Sequence, residues 1–366
     1  MPDTPSAHTV RWPIRSAEIS HLDRSGMLGH IQALPEQCER AADLSVSGTL
    51  PPGDAIKQVV IFGMGGSAIS GDLVKAVAEP ECPVPINVYR EYDVPAYVGP
   101  STLVVASSYS GNTEETLSAC RAAAERGAAI VAITTGGVLA RWAEGRGWPL
   151  IRIPGGLAPR AALGYSLVPL LLLLARVGLV ADKRAELEEA ITVLRSLRSE
   201  LAPEVPAEGN LAKQLALRLH GKLPLIYGTG GWRGAVAYRW KCQINENAKA
   251  PAWCNTFPEL NHNETVGWEV PKSVTGLVEL VLLRDRGDSP RINRRIEVTV
   301  DIMRPAISGV TEVWSRGESE LARLLSLIYI GDFTSAYLAL LNGVDPTPVR
   351  VIDRLKQELA ALGPIA

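Results

Sequence analysis

The chain has 366 residues, 46% of them hydrophobic and 21% charged, which is material for two domains with substantial cores. A formal net charge of -2, with no run of Lys or Arg, leaves no electrostatic footprint for nucleic acid or for a membrane surface. Five widely spaced cysteines (Cys38, Cys82, Cys120, Cys242 and Cys254) form no CxxC pair, so reduced thiols in a cytoplasmic protein are expected.

Residues 1–20 read as an irregular arm without the apolar stretch of a signal peptide. Met27, Leu28, Ile31 and Leu34 follow at roughly helical spacing before Pro35. Residues 47–55 are rich in Pro and Gly and read as a loop. The run 58–62, QVVIF, is a buried strand, followed by a glycine turn and a small-residue helix to about Val77. The pattern repeats with INVYR, then TLVVAS (102–107), a polar turn and the helix TEETLSACRAAAERG. AAIVAIT (128–134) and PLIRIP (149–154) are two more strands. Strands alternating with helices at this spacing predict a parallel sheet wound on both sides. The run 167–174, LVPLLLLL, contains Pro169 and meets Arg176 too soon to span a bilayer, so it is expected to be a buried helix.

A charged helix over 182–201 and the Pro-rich 202–210 are expected to form a linker. Residues 224–237, PLIYGTGGWRGAVA, then echo VVIFGMGGSAIS: an apolar strand, a glycine turn, a small-residue helix. Segments 277–283, 294–300 and a helical 318–341 complete the second half. The expected organisation is an N-terminal arm and helix over 1–50, one α/β domain over 51–185 and a related one over 205–366.

Two turns in the first half carry the clearest chemical signal. Gly63-Met64-Gly65-Gly66-Ser67 lies between strand and helix, where glycine permits close backbone approach and free N–H groups favour an anion. Ser108-Tyr109-Ser110-Gly111-Asn112-Thr113 occupies the equivalent place after another strand and adds three hydroxyls. Such donors can hold a phosphate without a charged side chain, and the lysine of a nucleotide-triphosphate loop is absent. Alternatively the first turn is only a tight turn, and Ser108 or Thr113 only an N-cap. Gly63-x-Gly65 with Glu91 downstream also resembles a dinucleotide fingerprint, but the third glycine is displaced to Gly71 and no NAD site is expected.

The densest acid–base segment is Asn245-Glu246-Asn247-Ala248-Lys249, followed by Phe257-Pro258-Glu259-Leu260-Asn261-His262-Asn263-Glu264. Glu246 is expected to end a helix running from about Gly234 and stopped by Pro251, and His262 to lie on a polar loop. A Glu and a His in a partly dry pocket suit proton transfer near neutral pH. The plain alternative is a surface Glu246–Lys249 pair and a solvated histidine. His262 and Glu264 lack further spaced ligands, so no metal and no cofactor is expected.

Taken together, GMGGSAISGD, SSYSGNTEET, the Pro159-Arg160 of GGLAPRAALGY and ENAK…FPELNHNE resemble the bifunctional phosphoglucose/phosphomannose isomerase family, from about Asp23 to the C-terminal LK. The resemblance implies two SIS-type, flavodoxin-like, pseudo-duplicated domains and an aldose–ketose isomerase acting through a cis-enediol. It implies that Gly65, Gly66, Ser67, Ser108, Ser110 and Thr113 hold the substrate phosphate. Glu246 would be the base between C1 and C2, and Arg160 would stabilise the enediol, unless it only forms a structural salt bridge. His262 would assist ring opening in a neighbouring subunit's site within a homodimer, and Lys356 would assist at the sugar ring. The loop Gly228–Gly231 has no serine-rich companion and reads as a relic of duplication. A single-specificity isomerase and a non-catalytic sugar-phosphate sensor remain as alternatives, the sensor without any basic output module in the first 50 residues.

Overall fold

A computed structural model describes residues 12–361 and 363. The first eleven residues of the expected arm lie outside the described residues. Three short helices open the chain: α1 (Ser16–Leu22), α2 (Met27–Gln32) and α3 (Leu34–Ala42). Pro35 does not stop a helix. It sits in the first turn of α3, where a missing N–H costs nothing, so the chain breaks at Ala33 and restarts.

The first sheet follows, with β1 (Val46–Ser47), β2 (Gln58–Phe62), α4 (Gly65–Ala78), β3 (Ile86–Tyr89), β4 (Thr102–Ser107), α5 (Glu114–Glu125), β5 (Ala129–Thr134), α6 (Gly137–Arg146) and β6 (Leu150–Arg152). The strand order is β1-β6-β5-β4-β2-β3, parallel throughout except for β1 against β6. Every residue of β4 is buried, as expected for a central strand with helices on both faces. The chain passes from β2 outward to β3 and returns on the other side of β2 at β4. This reversal opens a crevice beyond the carboxyl ends of β2 and β4.

Next come α7 (Leu163–Arg176), α8 (Arg184–Leu201) and α9 (Leu211–Leu219). The apolar run 167–174 lies in α7 and is buried, as its sequence suggests. The expected linker helix is instead a core element. Leu187, Ala190, Ile191, Leu194, Leu197 and Leu201 of α8 form a buried stripe at helical spacing, and its charges occupy the opposite face.

The second sheet is formed by β7 (Leu223–Thr229), α10 (Trp232–Gln243), β8 (Trp253–Phe257), α11 (Lys272–Thr275), β9 (Val278–Arg284), α12 (Pro290–Met303) and β10 (Gly309–Trp314), ordered β10-β9-β7-β8 and fully parallel. Residues 294–300 belong to helix α12. Ser289 caps it by accepting from Ile292 N, and Ile296, Val300 and Met303 share its buried face. α13 (Glu320–Leu341) is long and apolar enough to cross a membrane by composition, yet it is almost wholly buried against α8, α9 and α10. The last helix, α14 (Arg350–Ala360), buries none of its residues. One apolar cluster runs from α3, α4 and α7 into α8, α10 and α13, joining the two halves.

Candidate active site

The two phosphate-loop candidates follow β2 and β4 and meet at the crevice. Ser67 in the first turn of α4 is 6% exposed, and its hydroxyl accepts from Tyr109 N at 3.2 Å. Ser108, 1% exposed, lies 2.8 Å hydroxyl to hydroxyl from Thr113 and accepts from Gly111 N at 3.1 Å. Ser110 is exposed and accepts from Asn112 N at 3.2 Å. Thr113 precedes α5 but does not cap it through its side chain, because its hydroxyl is turned to Ser108. The structure therefore gathers hydroxyls and helix N-termini around one crevice, where a dianion would be favoured.

Two glycines make this approach possible. Gly65 has φ 49°, a left-handed conformation that glycine adopts without steric cost. At Gly66 a Cβ would stand 2.9 Å from the backbone of Pro159 and 3.0 Å from Arg160 N. Hydrogen at this position lets the short 3₁₀ turn Pro159–Ala161 rest directly on the loop after β2, which sets where Arg160 begins.

Arg160 is 4% exposed. Its Nε donates to Asn247 Oδ1 at 2.7 Å, its Nη2 to the carbonyls of Pro346 and Thr347 at 2.8 Å each, and its Nη1 lies 3.4 Å from Glu246 Oε2. Burial lowers its pKa from the ordinary value, with the negative charge of Glu246 acting against that. Behind it, Arg239 donates to the Arg160 carbonyl at 3.1 Å and to Asp332 at 2.7 Å, and Gln243 donates to Asp332 at 2.9 Å. Buried polar side chains of this kind cost stability unless they are hydrogen-bonded, and each of these has at least one partner.

Glu246 is not in an ordinary helix end. After Gln243 the chain winds into a single π-helical turn, Ile244–Ala248, of the kind often found at functional sites. Lys249 then adopts φ 55°, ψ 29° and reverses the chain before Pro251. A left-handed residue with a side chain costs roughly 1–2 kcal/mol. The π turn directs Glu246 outward, its side chain 30% exposed, while Asn247 points inward and is fully buried. Asn247 also donates to Ser335 at 2.9 Å, so consecutive residues of one turn hold the acid and its arginine. A cavity of about 710 Å³ opens beside Glu246, lined by Asn245, Lys249, Asp345 and the start of α14 among others.

His262 stands apart from this cavity. It is exposed, and its imidazole makes no hydrogen bond or ion pair among the described residues, whereas its neighbours' side chains are anchored. Asn261 donates to Thr299 at 2.7 Å, and Glu264 accepts from Tyr227 of β7 and Asn255 of β8. Burial and the Glu264 carboxylate push the Tyr227 phenol far up, so it stays a donor. Lys356 is exposed on α14, one turn beyond Ile352, which lines the cavity, and on the same helix face.

The loop after β7 is filled by its own side chains. Arg233 reaches Asp285 at 2.5 Å and Asp288 at 3.3 Å, and Asp285 also accepts from Arg323 at 3.0 Å, Ser315 at 2.6 Å and Gly287 N at 2.7 Å. Burial alone would raise the Asp285 pKa, but these donors hold it below its ordinary value. The bulk of Trp232 and Arg233 is thereby explained: Trp232 is buried, donates to Glu320 at 2.8 Å and carries the Arg233 guanidinium over its ring. The groups that sequence reasoning did not single out are Asn247, Arg239, Gln243 and Asp332. Arg239, Gln243 and Asn247 recur every four residues, the one hint of a shared face, whereas Asp332 lies far along the chain on α13. Among the described residues no group of three His, Cys, Asp or Glu side chains is placed to hold a metal ion.

Two largely parallel α/β sheets, with glycine- and serine-rich loops at the switch point of the first, define a double SIS protein of the sugar-phosphate isomerase class. Residues 55–143 match the SIS domain, and residues 208–359 match the bacterial phospho-glucose isomerase C-terminal SIS domain. The chain is 50% identical over 338 residues to a bifunctional phosphoglucose/phosphomannose isomerase of Caldicellulosiruptor bescii, covering 92% of this chain and 99% of that one. It is 39% identical to the protein of the same description from Thermoplasma volcanium, covering 83% and 91%. A crystal structure of a hypothetical protein from Thermus thermophilus shares the fold with TM-score 0.71 at 18% identity, covering 94% and 95%. The chain belongs to the bifunctional phosphoglucose/phosphomannose isomerase family.

Proposed function

We propose that this chain interconverts glucose 6-phosphate, and also mannose 6-phosphate, with fructose 6-phosphate. The observation that carries the reading is the path from Gly66 to Arg160 to Glu246, which ties a phosphate loop to a carboxylate through one buried guanidinium. Gly65, Gly66, Ser67, Ser108, Ser110 and Thr113 bind the 6-phosphate. Glu246 moves the proton between C1 and C2, a task for a positioned base. Arg160 meets the charge that develops on the enediol; its donors are fixed in advance, so no reorganisation is needed during the reaction.

His262 acts at ring opening in the active site of a second copy, and Lys356 assists at the sugar ring. The pinning of Asn261 and Glu264 to their own chain, with His262 turned to solvent between them, supports a role outward from this subunit. The substrate is a small sugar phosphate and the assembly a homodimer. Five unpaired cysteines fit a reducing, cytoplasmic setting.

The test is a coupled assay with glucose 6-phosphate and mannose 6-phosphate in turn, following fructose 6-phosphate. Turnover of both is expected. Turnover of neither, with sugar phosphate still bound, would leave a binding protein instead.

A further inference from the structure

Lys249 is absorbed by no role described so far, yet its backbone and side chain are both unusual. It is the one non-glycine residue with positive φ among the described residues, at a position where glycine or asparagine would be the relaxed choice. A strained residue kept at a site points to work done by its side chain. The Lys249 Nζ donates to the Glu246 carbonyl at 2.5 Å and to the Pro346 carbonyl at 2.7 Å. Arg160 Nη2 donates to that same Pro346 carbonyl at 2.8 Å. Two cations from different elements thus close on one oxygen of the connector between α13 and α14.

We propose that Lys249 is a positioning residue for the isomerisation: its charged amine ties the π turn carrying Glu246 to the connector that carries α14 across the cavity. This inference rests on the isomerase reading above. A charge-assisted hydrogen bond is about twice as strong as a neutral one, so loss of the proton loosens both ties. The charged groups facing the amine are Arg160 from its 3₁₀ turn, Glu246 from the π turn and Asp345 from the connector, with Arg350 of α14 lining the same cavity. Desolvation, joined by the positive charge of Arg160, lowers the Lys249 pKa to about 8, against the pull of Asp345 and Glu246. The sign follows: below this value the tie is charged and firm, and as pH rises through it the tie weakens.

The experiment is steady-state kinetics on full-length wild type, K249R and K249M from pH 6 to 10, with thermal unfolding of each as a check on folding. For wild type, kcat is expected to fall with pH through about 8. In K249R the guanidinium keeps its charge, so kcat is retained within about threefold at pH 7 and the fall moves above pH 9. In K249M, kcat at pH 7 is expected to drop about tenfold and lose the fall near 8, while KM changes less than threefold because the phosphate loops lie elsewhere. A K249R profile that still falls at the wild-type pH overturns the inference, even if K249M does not fold. Wild-type kcat and an unchanged profile in K249M overturn it as well. If wild type isomerises no hexose 6-phosphate at any pH, the isomerase reading itself has failed, and this inference goes with it.

Discussion

The side-chain oxygen of Asn247 accepts the Nε–H of Arg160 at 2.7 Å, from the residue next to the carboxylate that Arg160 also meets. One peptide step therefore couples the orientation of Glu246 to that of its arginine. Asn247→Leu should leave the Arg160 Nε buried without a partner, a loss of about 1–3 kcal/mol. If all of that loss falls on the transition state, kcat should drop roughly 5- to 140-fold, by the tenfold per 1.4 kcal/mol rule, with a smaller change in KM. Equal losses in kcat and phosphate affinity would show that the substitution disturbs the whole crevice instead.

Glu246→Gln keeps the shape and the Arg160 contact but removes the basic oxygen. Isomerisation should drop by about 10²–10⁴, the range contributed by a positioned general base, while sugar phosphate still binds. Isothermal titration beside the coupled assay separates the two effects. Retention of more than about a tenth of wild-type turnover would remove Glu246 from the role of base.

Ser110→Ala and Thr113→Val should each weaken substrate binding by about 1.5–3 kcal/mol, the contribution of a hydrogen bond to a charged group. Thr113→Val also deprives Ser108 of its hydroxyl partner, so its effect should be the larger. Inorganic phosphate should compete with substrate in wild type and compete less well in both variants. KM unchanged in both would place the phosphate elsewhere.

These predictions draw on residues that differ in how legible they were. The central strands β2, β4 and β5 are short apolar runs rich in Val and Ile, and the sequence reading and the structure agree on them closely. β10 was missed because it is an edge strand whose residues are mostly half-exposed, so Val, Thr and Glu alternate without an apolar block. Residues 294–300 look β-branched, yet Ser289 and Pro290 start a helix there and only one face is apolar. The loops, Glu246 and Arg160 were legible by motif. The buried support of Arg160 was not, because Arg239, Gln243 and Asp332 read as ordinary helix polarity until α10 and α13 pack together. Nor does INENAK announce a π turn, since nothing in its composition departs from a normal helix.

The loop of His262 is tied down on both sides of the histidine. Asn261 is held by α12 and Glu264 by β7 and β8, so the loop is anchored to its own chain, and His262 between them is exposed. An anchored loop cannot fold back over the cavity beside Glu246 without breaking those bonds. In the homodimer proposed above, the histidine would serve a neighbouring copy, and two-fold symmetry would complete two sites at once. Glu246→Gln chains and His262→Ala chains should each be inactive alone. Mixed and allowed to exchange, about half of the dimers should be hybrids by counting from that symmetry. Each hybrid has one site with an intact carboxylate from one subunit and an intact imidazole from the other, and one site with neither. Activity should therefore rise toward about a quarter of wild type on the same count. Native mass spectrometry of chains with different tags reports the exchange independently of turnover. Complete exchange with no recovered activity would mean that His262 acts within its own chain, and the anchored loop would have to open for it to do so.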